Sequence, residues 1–543
     1  MRRPSPFLPS LTLRPLAGAL LALAIGWQAP ANAADPPLEL DLILRGGTLY
    51  TGDGGDPPVV GDVGIAGDRI VFVGQPAQGR QFGARRVIDV SGQIVAPGFI
   101  DAHTHADREL FTDDAKARQN LPFLTQGVTT SVIGNDGFGG FDIAAQAQRI
   151  RARPIGTNIA MYVGFGPVRI DQLGEKNAQP TPAQLEAMKK NVARGMCEGA
   201  LGLSTGLFYS PQNFARTEEV VALAKVAAHH GGLYDSHIRD ESSYNVGLKA
   251  SIDEVIRIGR EARMPVHVAH IKALGVDVQG QSGEIIRHIE AERAKGLRIT
   301  ADQYPWTASS TRFSAALMPP WALDGGAKAL LQRFDDPAVQ QKLRTDIQEN
   351  LRLRGGPEAI LFSAGNPKYV GRTLAQVMQA GGQDAVAATI SVLREGDLLI
   401  ASFNQSEQDV RAFMKPAWVM TSSDSSQGHP RAYGSFARKY DEYVVKSRTI
   451  GLEQFIRSSS SLTADTLGLD KRGYLRPGYY ADVVVFDPAR YAARATYTQP
   501  ALLSVGVGTV LVNGQLAIDK GEPTGVTAGQ ALLRKPREGT CPG

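Results

Sequence analysis

The chain has 543 residues, 43% of them hydrophobic and 21% charged, with 59 Gly and 32 Pro; this excludes disordered, collagenous and multi-span membrane classes. Its length exceeds one ordinary domain but suits an α/β barrel with satellite structure. Formal net charge is +4, yet Arg2, Arg3 and Arg14 lie in the first 33 positions, which hold no acid, and the remaining 55 basic and 54 acidic residues nearly cancel. That balance argues against nucleic acid as a partner.

The three arginines precede an apolar run at 16–27, too short to span a bilayer, and Ala31-Asn32-Ala33 supplies a small-x-small cleavage pattern. Residues 1–33 are expected to be a secretory signal peptide, with no stable membrane anchor and, for a Gram-negative source, a periplasmic destination. Cys197 and Cys541 are the two cysteines, so one bridge is the most the chain can form and no disulfide scaffold exists.

From 34 to 93, β-favouring segments at 40–44, 59–65, 69–73 and 87–90 alternate with Gly- and Pro-rich turns, the texture of a small antiparallel unit. The same texture returns at 481–487 and 505–517, which predicts one β-sandwich domain split between 34–93 and 473–543, the latter carrying a C-terminal tail. Between them, from 94 to 472, eight short apolar runs (94–100, 129–133, 158–163, 200–203, 232–234, 265–269, 298–301 and 418–420) are separated by helix-patterned stretches. This predicts a TIM-like (β/α)8 barrel. The stretch at about 307–397 is too long for a loop and holds helical patterning at 337–351, so an inserted lobe is expected beside the barrel mouth.

The chemistry-bearing residues fall at the downstream ends of these runs, where parallel barrels place reacting groups. Ala96 to Ile100 leads into His103 and His105, whose spacing of two lets both imidazoles reach one metal ion. Another run ends at His237. In Val266-His267-Val268-Ala269-His270, period two separates the histidines; His270, at the end of the run, is taken as the ligand and His267 as structural. His229, His230 and His288 sit in helix-patterned segments and read as surface or packing residues. Trp418 to Met420 leads to Asp424, placed to bind metal and accept a proton from water.

The segments Pro97-Gly98-Phe99-Ile100-Asp101-Ala102-His103-Thr104-His105, Gly202 to Leu207 with Tyr209 and Pro211, His237 to Glu241, Ala269 to Lys272, His429-Pro430-Arg431 and Gly478 to Val483 together resemble the amidohydrolase superfamily, and within it the N-acyl-D-amino-acid deacylases (D-aminoacylases). The resemblance implies a barrel with a split β-sandwich and one or two zinc ions. His237 and His270 match the tighter metal site, His103 and His105 the second, and Asp424 the catalytic carboxylate. Where these deacylases commonly carry Cys after Gly-Asn, this chain has Asp136, a harder shared ligand that leaves room for a divalent metal other than zinc. Tyr209, Lys272 and Arg431 match residues that bind the substrate's α-carboxylate, a task suited to a phenol and two cations.

The implied reaction is hydrolysis of N-acyl-D-amino acids to a carboxylate and a free D-amino acid, with Asp424 as general base and then acid. D-stereochemistry enters through the resemblance alone. A metal-dependent dipeptidase acting before a C-terminal D-residue is the main alternative. Cyclic amidases of the superfamily usually carry a bridging carboxylated lysine at the fourth strand end, and none stands at 202–207. Gly202-Leu203-Ser204-Thr205-Gly206 fits the short pattern of a serine-hydrolase elbow, a remote reading that would make Ser204 a nucleophile. A non-catalytic metal-binding protein is the other.

Overall fold

The structure, a computed structural model, describes residues 38–55, 57–75 and 82–541; the expected signal peptide lies outside them. Eight parallel strand positions are occupied in chain order by Phe99–Asp101, Val128–Ile133, Asn158–Met161 continued by Val163–Gly164, Gly202–Gly206, Leu233–His237, Val266–Val268, Ile299–Gln303 and Val419–Thr421. Each pairs with the next in parallel register. The eighth comes back to the first: Asp424 N donates to the His103 carbonyl at 2.9 Å, and Ser423 N to Asp101 Oδ1 at 2.9 Å. These strands are buried along nearly their whole length, as both-face coverage of a parallel sheet demands, and the helices between them are amphipathic. Leu248–Ala262, for example, buries Leu248, Ile252, Val255, Ile256 and Gly259 at spacings of three and four.

The predicted run 94–100 divides at Gly98. Ile94–Pro97 belongs to a separate nine-stranded sheet, and only Phe99–Asp101 enters the barrel. That sheet takes Leu38–Leu49, Val59–Ala66, Arg69–Gly74, Phe82–Asp89 and Ile94–Pro97 from one end of the chain, and Val483–Phe486, Val507–Val512, Gln515–Asp519 and Glu522–Pro523 from the other. The seam is the antiparallel pairing of Ile94–Pro97 with Val483–Phe486. Contrary to the antiparallel expectation, the sheet is mixed: Leu38–Leu49 runs parallel to Phe82–Asp89 and Ile94–Pro97. Alternating hydrophobicity marks a strand but carries no record of its neighbour's direction. Period-two alternation fixes the sheet's two faces. Val483 and Val485 join Leu42, Leu44, Val63 and Ile65 in its own core, while Val484 and Phe486 join the barrel core, where Phe486 lies 6.3 Å from Phe99.

The lobe between the seventh and eighth barrel strands is built on an antiparallel sheet of Ala308–Arg312, Leu399–Phe403 and Ile360–Ala364, so it extends past the predicted end at 397. Helices including Gln340–Leu353, the predicted 337–351 pattern, close over a core of its own containing Phe313, Leu317, Leu343, Ile347 and Phe362. The last residues leave the β unit and cross the barrel. Gly529 bridges Ile155, Ala531 bridges Ile159, Arg534 N donates to the Gly199 carbonyl at 2.9 Å, and Cys541 is joined to Cys197. Among the described residues no helix is long and apolar enough to cross a membrane.

Candidate metal centre

Asp101 ends the first barrel strand and is followed by His103 and His105; Asp136 lies in the turn after the second, His237 ends the fifth, His270 follows the sixth by two residues, and Asp424 follows the eighth by three. The barrel therefore gathers at one mouth residues spread over more than three hundred positions. Asp136 is the centre of the group. Its Oδ1 lies 3.4 Å from His103 Nε2 and 3.3 Å from His270 Nε2; its Oδ2 lies 3.3 Å from His105 Nε2 and 3.6 Å from His237 Nδ1. Asp424 Oδ1 stands 3.3 Å from His105 Nε2 and 3.8 Å from His103 Nε2.

Two ligand sets result, sharing Asp136: His103, His105, Asp136 and Asp424, and Asp136, His237 and His270. His103 Nε2 and Asp136 Oδ1 are buried without a hydrogen-bond partner and face each other across the cluster, a costly state for polar atoms that a cation between them would relieve. Imidazole nitrogens with carboxylate oxygens suit zinc and comparable divalent ions. The residues fit a metal.

Asp136 is held from behind. Gly137 N donates to Ser204 Oγ at 3.0 Å, Ser204 Oγ donates to Asp235 Oδ2 at 2.6 Å, and Gln212 Nε2 donates to the Asp136 carbonyl at 3.0 Å. A Cβ at Gly206 would lie 2.2 Å from that carbonyl oxygen, so only glycine admits the turn. Ser204 is thus a buried brace in the middle of a strand, not an exposed nucleophile, and the serine-hydrolase reading loses its residue. Asp136, His270 and Asp424 all adopt left-handed backbone, with φ of 56°, 34° and 46°, a strain that persists only where surrounding structure imposes it.

Electrostatics separates the groups. Burial works against the charged form of Asp136, but the His103, His270 and His237 imidazoles around it hold its carboxyl well below the usual range. Asp424 is likewise lowered despite burial, chiefly by Arg431, whose guanidinium lies 2.7 Å away. His105 is raised to about 9 against burial, by Asp136 and Asp424, and His270 to about 9 against burial and Lys272, by Asp136, Asp424 and Glu241. His237, pushed down mainly by burial, favours the neutral form that ligates metal.

Several residues not predicted from sequence stand behind the ligands. Glu241 Oε1 lies 3.1 Å from His270 Nδ1 and accepts from Lys272 Nζ at 2.5 Å, while its Oε2 lies 3.7 Å from His237 Nε2. Such carboxylates orient ligand imidazoles. It stands four residues after His237, and that spacing was the available signal. Asp302 lies 3.7 Å from His103 Nδ1 and 2.8 Å from His267 Nε2; His267 also reaches Thr300 Oγ1 at 2.9 Å and lies outside both ligand sets. His230 is buried beside the Cys197–Cys541 bridge, and His288 contacts Asp253 at 2.6 Å.

Tyr209, Lys272 and Arg431 border the same site. Tyr209 and Lys272 line a narrow recess with Glu241, Tyr304 and Arg354, the last a buried cation supplied by the lobe. Tyr209 and Arg431 also line an open cleft of about 460 Å³ that reaches His105, Asp136 and Asp424. Tyr209 keeps its phenol protonated, raised well above its ordinary value by burial.

Residues 86–312 and 360–518 match the model of the amidohydrolase family. The D-aminoacylase of Alcaligenes xylosoxydans xylosoxydans is 32% identical over 91% of this chain and 98% of its own. A solved D-aminoacylase, described as having a binuclear metal centre with one-metal activation and second-metal attenuation, superposes with a TM-score of 0.77 at 31% identity, covering 91% of this chain and 100% of its own. An N-acyl-D-glutamate deacylase from Bordetella bronchiseptica, complexed with zinc and a phosphonate mimic of the tetrahedral intermediate, gives a TM-score of 0.76 at 30% identity over 91% and 100%.

Proposed function

Since the chain belongs to the amidohydrolase family, and within it to the N-acyl-D-amino-acid deacylases, we propose that it hydrolyses the amide bond of N-acyl-D-amino acids, releasing a carboxylate and a free D-amino acid. The observation that carries this reading is Asp136 within 3.6 Å of four imidazoles, with Asp424 beside them. Asp136, His237 and His270 would hold one divalent ion, zinc by preference, and His103, His105, Asp136 and Asp424 would hold a second. A cation so held supplies Lewis acidity toward water and the scissile carbonyl.

The chain's own groups perform the rest. Asp424, ionised because Arg431 lies beside it, accepts the proton of the attacking water at Oδ1, the oxygen that faces His105. It then returns that proton to the leaving amine. Lys272 and Arg431, with the Tyr209 hydroxyl, draw in the α-carboxylate and fix the amide against the ligand cluster, so that the reaction spends little on orientation. In the substrate-free molecule both cations rest on protein carboxylates, Lys272 on Glu241 and Arg431 on Asp424; a substrate carboxylate shares or displaces those partners. Export to the periplasm is proposed on the charge and apolar pattern of residues 1–33.

The test is a pair of enantiomers. The zinc-loaded protein is assayed with N-acetyl-D- and N-acetyl-L-amino acids, then again after chelation and zinc restoration. Turnover of the D-form alone, lost and regained with zinc, is expected. Equal rates on both enantiomers would defeat the stereochemical assignment, and activity indifferent to chelation the metal-dependent one. Preference for a dipeptide with a C-terminal D-residue over its N-acetyl counterpart would move the assignment to a dipeptidase.

A further inference from the structure

Beside the catalytic cleft lies a larger groove of about 750 Å³, and the two share His105, Glu109, Ala364, Gly365, Ser426 and Gln427 along their common border. Three separate parts of the chain supply its apolar walls: Leu121 and Phe123 after the first barrel strand, Val370 from the lobe, and Pro500 and Leu503 from the segment leading back to the β unit. Val370 and Leu503 remain 41% and 37% exposed, and apolar side chains left accessible around one concavity mark a binding surface.

The arrangement of the site gives the groove its direction. Tyr209 and Lys272 lie at the His237–His270 end, the Tyr209 ring 4.7 Å from that of His237 and Lys272 Nζ 2.7 Å from His270 Nδ1. The amino-acid half of a substrate, drawn by its carboxylate, occupies that end. The two halves of an amide diverge from its carbonyl, so the acyl half leaves past His105, where the groove begins. An acetyl group would fill almost none of it.

We propose that the groove is the acyl subsite and that the substrates are N-acyl-D-amino acids bearing a medium- to long-chain fatty acyl group, a proposal that rests on the deacylase reading above. The hydrolysed bond is the same amide: water adds its oxygen to the acyl carbon, the amine leaves with a proton, and the products are a fatty acid and a D-amino acid.

The test is a chain-length series of N-acetyl, N-hexanoyl and N-decanoyl derivatives of one D-amino acid, below their aggregation concentrations, with the zinc-loaded wild-type protein and with Val370→Asp and Leu503→Asp, both at exposed positions. In the wild type kcat/KM should rise two- to fourfold per methylene, the upper value corresponding to about 0.8 kcal/mol per buried CH2. In each variant the decanoyl-to-acetyl ratio should fall at least tenfold. A flat or falling series with measurable N-acetyl-D turnover overturns the subsite and leaves the deacylase reading intact, and an unchanged ratio in both variants also overturns it. Absence of turnover on every D-derivative sinks the underlying reading, and the proposal with it.

Discussion

The two halves of the ligand cluster differ in what stands behind them. His237 and His270 are both buried and backed by Glu241, which is itself locked to Lys272 at 2.5 Å. His103 is buried against Asp302, but the His105 side chain is 25% exposed and borders both the cleft and the groove. One half is a preassembled cage; the other opens toward substrate. Since ligand sets braced by a further shell of hydrogen bonds bind metal more tightly, the first metal equivalent should settle with His237 and His270 and the second should exchange.

The severest test removes the residue common to both halves. Asp136→Ala should retain almost no metal after dialysis and lose activity by about 10⁴-fold or more, beyond the span of a single proton-transfer group; wild-type zinc content and rate in this variant would erase the comparison. Asp424→Asn should keep the first metal and lose about 10³-fold in kcat, read by turnover together with elemental analysis. The halves separate next. His237→Ala should lose the tightly held equivalent and most activity, whereas His105→Ala should lose only the exchangeable one, with about a tenfold effect or less; equal effects in the two variants would show that the halves are equivalent.

The smallest effect concerns pH. His105 and His270 are raised to about 9 in the metal-free molecule, against about 6.5 in an unfolded chain. The stabilisation from these raised groups is therefore complete below pH 6.5 and lost as pH rises through 9. Metal-free protein should show its Tm falling across that window, while zinc, which requires deprotonated imidazoles, should bind more tightly as pH rises and reverse the trend. A Tm of metal-free protein that climbs from pH 6.5 to 9 would contradict the charge balance assigned to the cluster.

Much of this was legible in the chain because a parallel barrel converts sequence position into spatial position. Apolar runs of strand length reveal where each strand ends, and polar residues just beyond those ends must meet at one mouth; His103, His105, His237, His270 and Asp424 could be read in this way. Asp136 was harder, since an Asp-Gly pair also marks an ordinary turn, and only the resemblance singled it out. Glu241 and Asp302 face imidazoles, and a carboxylate near a strand end does not announce what it will face. Arg354 reaches the site from inside the lobe, whose docking depends on packing between surfaces that no local pattern encodes. The same limit explains the mixed sheet, where strands were legible but their partners were not.

The final residues give the molecule a dependence on its surroundings. From Gly529 onward the chain lies across the barrel, and its end is stitched to the helix Pro182–Cys197 by the Cys197–Cys541 bond. In a reducing cytoplasm that stitch is open, leaving the strap to its backbone pairings and the contacts of Arg534 and Arg537 with His230. A fusion or affinity handle appended after Cys541 therefore loads the very segment that is stitched across the barrel.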